Sequence, residues 1–183
     1  MLNWMPLLVA IAVIGSCTQL LISYKRSKSK ITKGRNNPQK ARELIINHFS
    51  KAGKSVRIFS SSGFAKVYND SDVIEAFKEA HNRSVKIDIL VEKDTLDNSG
   101  GENALEDLHK NKIIELFKGV GPEALLNHFR IIDKKLLYIE EQDHLCKESS
   151  DEEEKPYIIY EQVQSEILPY IRKFDEVLCP LKK

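Results

Sequence analysis

The sequence predicts an α/β protein, an α-β-α sandwich around a mixed, mostly parallel sheet, preceded by one transmembrane helix. Three observations carry this. Residues 2–23 are almost wholly apolar and run into a basic stretch. From residue 38 onward, short strand-like segments take turns with segments of helical period. Two further strand patterns, ending near residue 140, face each other across a short polar turn.

The apolar run is long enough for a helix to cross a hydrocarbon core of about 30 Å. Gly15, Ser16, Thr18 and Gln19 interrupt it only lightly, and Trp4 and Tyr24 bracket it as interfacial aromatics would. Eight basic residues follow without an acid: Lys25, Arg26, Lys28, Lys30, Lys33, Arg35, Lys40 and Arg42. Positive flanks stay on the cytoplasmic side. The expected protein is therefore single-pass, with its N-terminus outside and its body cytoplasmic. Residues 1–24 form the anchor, 25–37 a basic juxtamembrane linker and 38–183 the folded domain. Residues 2–30 would meet membrane lipids, anionic ones included. A cleaved signal peptide would carry its charge before the apolar run, not after it. Ile14-Gly15-Ser16-Cys17 offers a lipidation reading of Cys17, but the apolar run continues beyond it.

Each element of the body has its own signal. Pro38–Lys51 reads as a helix with Ala41, Leu44, Ile45, His48 and Phe49 on one face, stopped by Gly53. Ser55–Ser60 alternates as a strand and opens onto Ser60-Ser61-Ser62-Gly63. Asn69 to Asp72 offer caps for a helix carrying Val73, Ile74, Phe77 and Ala80. Residues 85–91 form the next strand, 102–110 a short helix and 113–117 a third strand, broken at Gly119-Val120-Gly121-Pro122. Residues 129–133 and 136–140 form a hairpin turning on Lys134-Lys135. Residues 140–155 read as an acidic solvated loop, and 157–178 as a long helix with Pro169 inside it.

The 183 residues carry a net charge of +1, so the chain as a whole is not a polycation; the basic residues are gathered next to the apolar run. Three cysteines, Cys17, Cys146 and Cys179, stand at no metal-like spacing, and no motif asks for a cofactor or a metal. Ligands of open α/β sheets sit beyond the carboxyl ends of the strands, which brings Ser60, Ser61 and Ser62 forward as hydroxyl and amide donors to an anion.

The strongest chemical candidate is Asn127-His128-Phe129-Arg130-Ile131-Ile132-Asp133 with the hairpin behind it. Here the chain resembles one half of a phospholipase D-like domain. The match lies in the strand at residues 85–91, the helix–strand alternation closed by a hairpin, and a His-x-Arg triplet resembling that family's His-x-Lys. It covers roughly residues 40–141. The resemblance implies His128 as nucleophile toward phosphorus, Arg130 as clamp on the phosphoryl oxygens and Asp133 as the residue that orients the histidine. It implies two copies for one site, hence a homodimer. The chain departs from the family's spacing: Asp133 follows His128 by five residues instead of seven. Alignment on Asp133 puts Leu126 in the histidine place and His128 in the lysine place. Glu140-Glu141-Gln142 stands where a small-residue pair would follow the hairpin.

Three functions are expected from this. The first is a membrane-tethered phospholipase D-like module, catalytically degenerate, that binds a phosphate-containing ligand or a protein partner. The second is an active homodimeric phosphodiesterase or nuclease using His128; the order of anchor, basic neck and half-domain is similar to that of the mitochondrial phospholipase D-like endonucleases. The third is a structural interaction domain. His128 itself reads as nucleophile, as phosphate contact, or as a strand-edge histidine bonded only locally.

Overall fold

The computed structural model describes residues 29–60, 65–92, 104–120, 128–140 and 155–182. The expected anchor, the linker up to residue 28, Ser61, Ser62 and the acidic segment 141–154 lie outside the described residues. Among the described residues, no helix is long and apolar enough to cross a membrane.

Seven strands form one sheet: β1 (Lys30–Asn36), β2 (Ser55–Ser60), β3 (Lys86–Glu92), β4 (Glu115–Val120), β5 (His128–Ile132), β6 (Leu136–Glu140) and β7 (Lys155–Glu161). Five helical segments accompany them: α1 (Pro38–Lys51), the single turn α2 (Ala65–Tyr68), α3 (Ser71–Asn82), α4 (Ala104–Lys110) and α5 (Gln164–Leu181). Local chemistry explains the helix starts. Asn37 caps α1 by accepting from the Lys40 amide at 2.8 Å, with Pro38 in the first turn. Asp70 caps α3 through the Asp72 amide at 2.9 Å.

The sheet order is β1-β7-β6-β5-β2-β3-β4. Only β2–β3 and β3–β4 pair in parallel, whereas β1–β7, β7–β6, β6–β5 and β5–β2 are antiparallel. The sheet is mixed, as expected, but mostly antiparallel. The cause is two strands that the sequence conceals. Lys30–Asn36, read as linker, is an edge strand on β7, and its exposed Lys30, Lys33 and Arg35 suit an edge that must not recruit another strand. Lys155–Glu161 opens what was read as one helix from residue 157. It is a strand because Tyr157 and Ile159 alternate inward along aromatic and β-branched residues, and the helix begins only at Gln164. At β4, Gly119 and Val120 continue the strand they were expected to break.

Two apolar layers flank the sheet. Val56, Ile58, Ile87, Ile89 and Ile132 pack beneath Ile45, Phe49, Val73 and Phe77 of α1 and α3. Phe59, Leu90, Phe129 and Leu137 pack against Ile167, Phe174 and Leu178 of α5. The α-β-α layering is therefore as read from the sequence.

The hairpin turns on three residues, Asp133 to Lys135, not two; Asp133 and Lys134 take positive φ, 51° and 57°. Asp133 tolerates this conformation better than most residues. Its carboxylate accepts from the amides of Gly53 (2.9 Å), Lys54 (2.8 Å) and Ser55 (2.8 Å), stitching the hairpin to the α1–β2 corner. Burial opposes its charge, but the Ser55, Gly53 and Lys54 amides outweigh burial and hold its pKa below the usual carboxylate range. The stability it lends is complete above that range and is lost as pH falls through its lowered folded pKa. Asp133→Ala should cost about 2 kcal/mol in denaturant unfolding at neutral pH. The gap between mutant and wild type should close in acid.

Candidate functional site

Side chains two apart on a strand share a face, so His128 and Arg130 both point from β5 toward the α1 layer. Register supplies their neighbours. His128 stands opposite Glu140 and Arg130 opposite Tyr138 on β6, while Ile58 of β2 faces Arg130 from the other side. Ser60 ends β2 beside them, Tyr68 descends from α2 and His48 from α1. All are buried, Arg130 to 2%, Glu140 to 2% and His128 to 6% exposure. A small cleft, with enclosed space for about one water molecule, lies among Ser60, Tyr68, His128, Arg130 and Tyr138, with Phe59 and Phe129 also lining it.

Arg130 dominates this site. Its guanidinium carbon lies 4.1 Å from the Tyr138 ring centroid, a cation–π stack. It donates to the Tyr68 hydroxyl, which also shares a hydrogen bond with Ser60. Among the described residues its Nε and Nη2 have no hydrogen-bond partner. Unpaired guanidinium N–H groups at this burial are costly. A guanidinium cannot escape by losing its proton, and its planar fork matches two oxygens of one phosphate.

Beside it, His128 Nδ1 lies 3.8 Å from Glu140 Oε2, close enough for an ionic contact though too long for a hydrogen bond. Burial raises the pKa of both Tyr68 and Tyr138. Both phenols are therefore neutral at physiological pH. Burial, with help from Arg130 and Lys51, pushes His48 down to about 2. Its ring meets that of Tyr138 edge-on at 5.9 Å, and its Nδ1 has no partner among the described residues. His48 is thus a neutral packing residue under the site. Among the described residues, no group of three or more His, Cys, Asp or Glu could hold a metal ion.

The structure brings His128, Arg130 and Ser60 together. It does not bring Asp133 to them. That residue lies at the opposite end of β5, about 16 Å along the strand, with its carboxylate committed to three backbone amides. It cannot orient His128, and the only carboxylate at His128 among the described residues is Glu140. Glu140, expected at the start of a solvated loop, is instead the buried last residue of β6. The expected two-residue turn would have set Glu141 opposite His128; the three-residue turn shifts the register by one and sets Glu140 there. Tyr138 reaches Arg130 through the same one-residue shift, whereas nothing in the sequence signals Tyr68, which a single helical turn delivers.

No family model and no curated protein sequence matches this chain. Solved structures do. Nuc from Salmonella typhimurium, a phospholipase D family member, superposes with a TM-score of 0.59 at 13% identity, over 82% of this chain and 95% of Nuc. NucT from Helicobacter pylori gives 0.61 at 17% identity, over 82% and 96%. The fold is that of the phospholipase D family. The archaeal chromatin protein TrmBL2, whose structure shows a novel mode of DNA binding, is also similar, with a TM-score of 0.57 at 15% identity. There the match covers 93% of this chain but 62% of TrmBL2.

Because His48 is held neutral, its contribution to stability is present above its unfolded pKa, near 6.5. It is lost progressively as pH falls from there toward its folded value of about 2. His48→Phe should flatten the decline in unfolding free energy between about pH 6.5 and pH 4. At neutral pH it should cost less than about 1.5 kcal/mol, as expected of a ring-for-ring exchange.

Proposed function

We propose that the protein is a membrane-tethered phospholipase D-like module that binds a phosphate-containing ligand through Arg130 without hydrolysing it. The observation that carries this is the buried guanidinium at the wall of a cleft, whose Nε and Nη2 have no partner among the described residues. A phosphate oxygen pair is the ligand chemistry that satisfies both donors at once. Tyr68 and Ser60 add hydroxyls along the same wall. The tether rests on the apolar residues 2–23 and the basic residues after them, which would hold the domain on the cytoplasmic face. Loss of hydrolysis is supported by the placement of Asp133 away from His128 and by arginine in the lysine place.

A second reading, an active homodimeric phosphodiesterase, is favoured by Glu140. A carboxylate beside Nδ1 of His128 would fix the imidazole with Nε2 turned toward substrate. Arg130 would then stabilise the charge gathering on phosphorus. One chain supplies one such histidine in this motif, so a second copy would have to protonate the leaving group.

Bis(p-nitrophenyl) phosphate separates the two readings, because both binding and p-nitrophenolate release can be followed with the full chain in detergent. Saturable binding without turnover is expected. Arg130→Ala should weaken that binding by about tenfold to a hundredfold. Unchanged binding in Arg130→Ala would overturn the proposal. Turnover that disappears in His128→Ala would establish the second reading instead.

A further inference from the structure

The cation at the centre of the cleft is supported from a distance. Arg130 rests on the ring of Tyr138, at 4.1 Å from its centroid. Tyr138 is in turn stacked on Tyr157 of β7, with centroids 5.5 Å apart and planes 26° from parallel. Register places Tyr138 opposite Ile159 and Tyr157 opposite Glu140, so the two rings are diagonal neighbours, within reach for aromatic side chains. On its far side, Tyr157 lies over β1, where its cross-strand partner is Gly34. A methyl group on Gly34 would fall 2.5 Å from the Tyr157 hydroxyl oxygen and 2.6 Å from Cζ. Tyr157 is buried and backed by Tyr138, so its ring cannot give way without sliding across the next ring. Glycine is therefore required at residue 34 by the ring that covers it, the arrangement that lets an aromatic shield an edge-strand glycine.

We propose that Gly34, Tyr157 and Tyr138 form a column that positions Arg130 for its anion. The edge strand seats Tyr157, Tyr157 sets the tilt of Tyr138, and Tyr138 sets the plane of the guanidinium fork. These are positioning residues, since none but Tyr138 lines the cleft. The proposal deepens the phosphate-binding reading and rests on it for its functional half. Its geometric half stands alone. A fork that must meet two oxygens at once is sensitive to small tilts, so β1 tunes the site from two strands beyond β6, on which Tyr138 stands.

The test is the Arg130 Nε–H resonance of the full chain in detergent micelles, assigned by its absence in Arg130→Lys. Because the guanidinium lies over an aromatic ring, this resonance should be displaced upfield by ring current. Inorganic phosphate and dimethyl phosphate should shift it further on titration. In Gly34→Ala the upfield displacement should collapse and phosphate affinity should fall by about threefold to tenfold. Tyr157→Phe and Tyr138→Phe keep the rings and should retain both signals, whereas Tyr157→Leu should behave like Gly34→Ala even if the latter does not fold. A purely structural role would lower the melting temperature of these variants and leave resonance and affinity unmoved, and that result would overturn the proposal. If the resonance responds to Gly34→Ala but never to phosphate, the column stands and the phosphate-binding reading falls. If neither Gly34→Ala nor Tyr157→Leu moves the resonance while phosphate does, the column falls and the binding reading stands.

Discussion

A permanent cation, Arg130, sits buried in the layer between the sheet and α1, and much of this molecule is arranged around it. Taking a guanidinium out of water costs several kcal/mol after relaxation. The fold offsets part of that with the quadrupole of Tyr138 and the hydroxyl of Tyr68. It also keeps Glu140 and His128 in the neighbouring register pair. Among the described residues the compensation is incomplete, because Nε and Nη2 of Arg130 have no hydrogen-bond partner.

The chemistry that tolerates this cation also shapes its surroundings. His48 is forced to remain neutral by burial and by the nearby positive charges, so α1 can lie directly over the site without adding another cation. Tyr68 and Tyr138 keep their protons for the same reason of burial. The result is a cleft with one fixed positive charge and the neutral hydroxyls of Tyr68 and Tyr138 along its wall. Its polarity therefore depends on few groups, and changing any one of them changes it substantially.

Much of the fold was legible in the residues. α1, β2, α3, β3 and the hairpin carry strong caps or strong periods, and they stand where those signals place them. β1 and β7 were not legible, for opposite reasons. The lysines and arginine of β1 read as a soluble neck, because an edge strand buries little and so needs little apolar pattern. β7 satisfies both periods at once: Tyr157 with Tyr160 fits a helix, and Tyr157 with Ile159 fits a strand. Strand direction escaped as well, since pairing is a property of neighbours far apart in sequence. In the site, His128 and Arg130 were visible as a triplet. Asp133 was assigned by motif to chemistry that its backbone geometry reserves for a turn. Tyr68 and His48 join the cluster only through tertiary packing.

The edge position of β1 also bears on how the domain can be isolated. A fragment cut to remove the apolar segment, beginning at Asn36, would discard the strand that pairs with β7 along seven register positions. It would leave β7 as a raw edge of unpaired amides and carbonyls beside an uncovered Tyr157, the kind of surface that recruits other chains into aggregates. The shortest workable fragment therefore starts ahead of Lys30 and keeps part of the basic stretch, so the N-terminal boundary of the domain runs through the charged residues themselves.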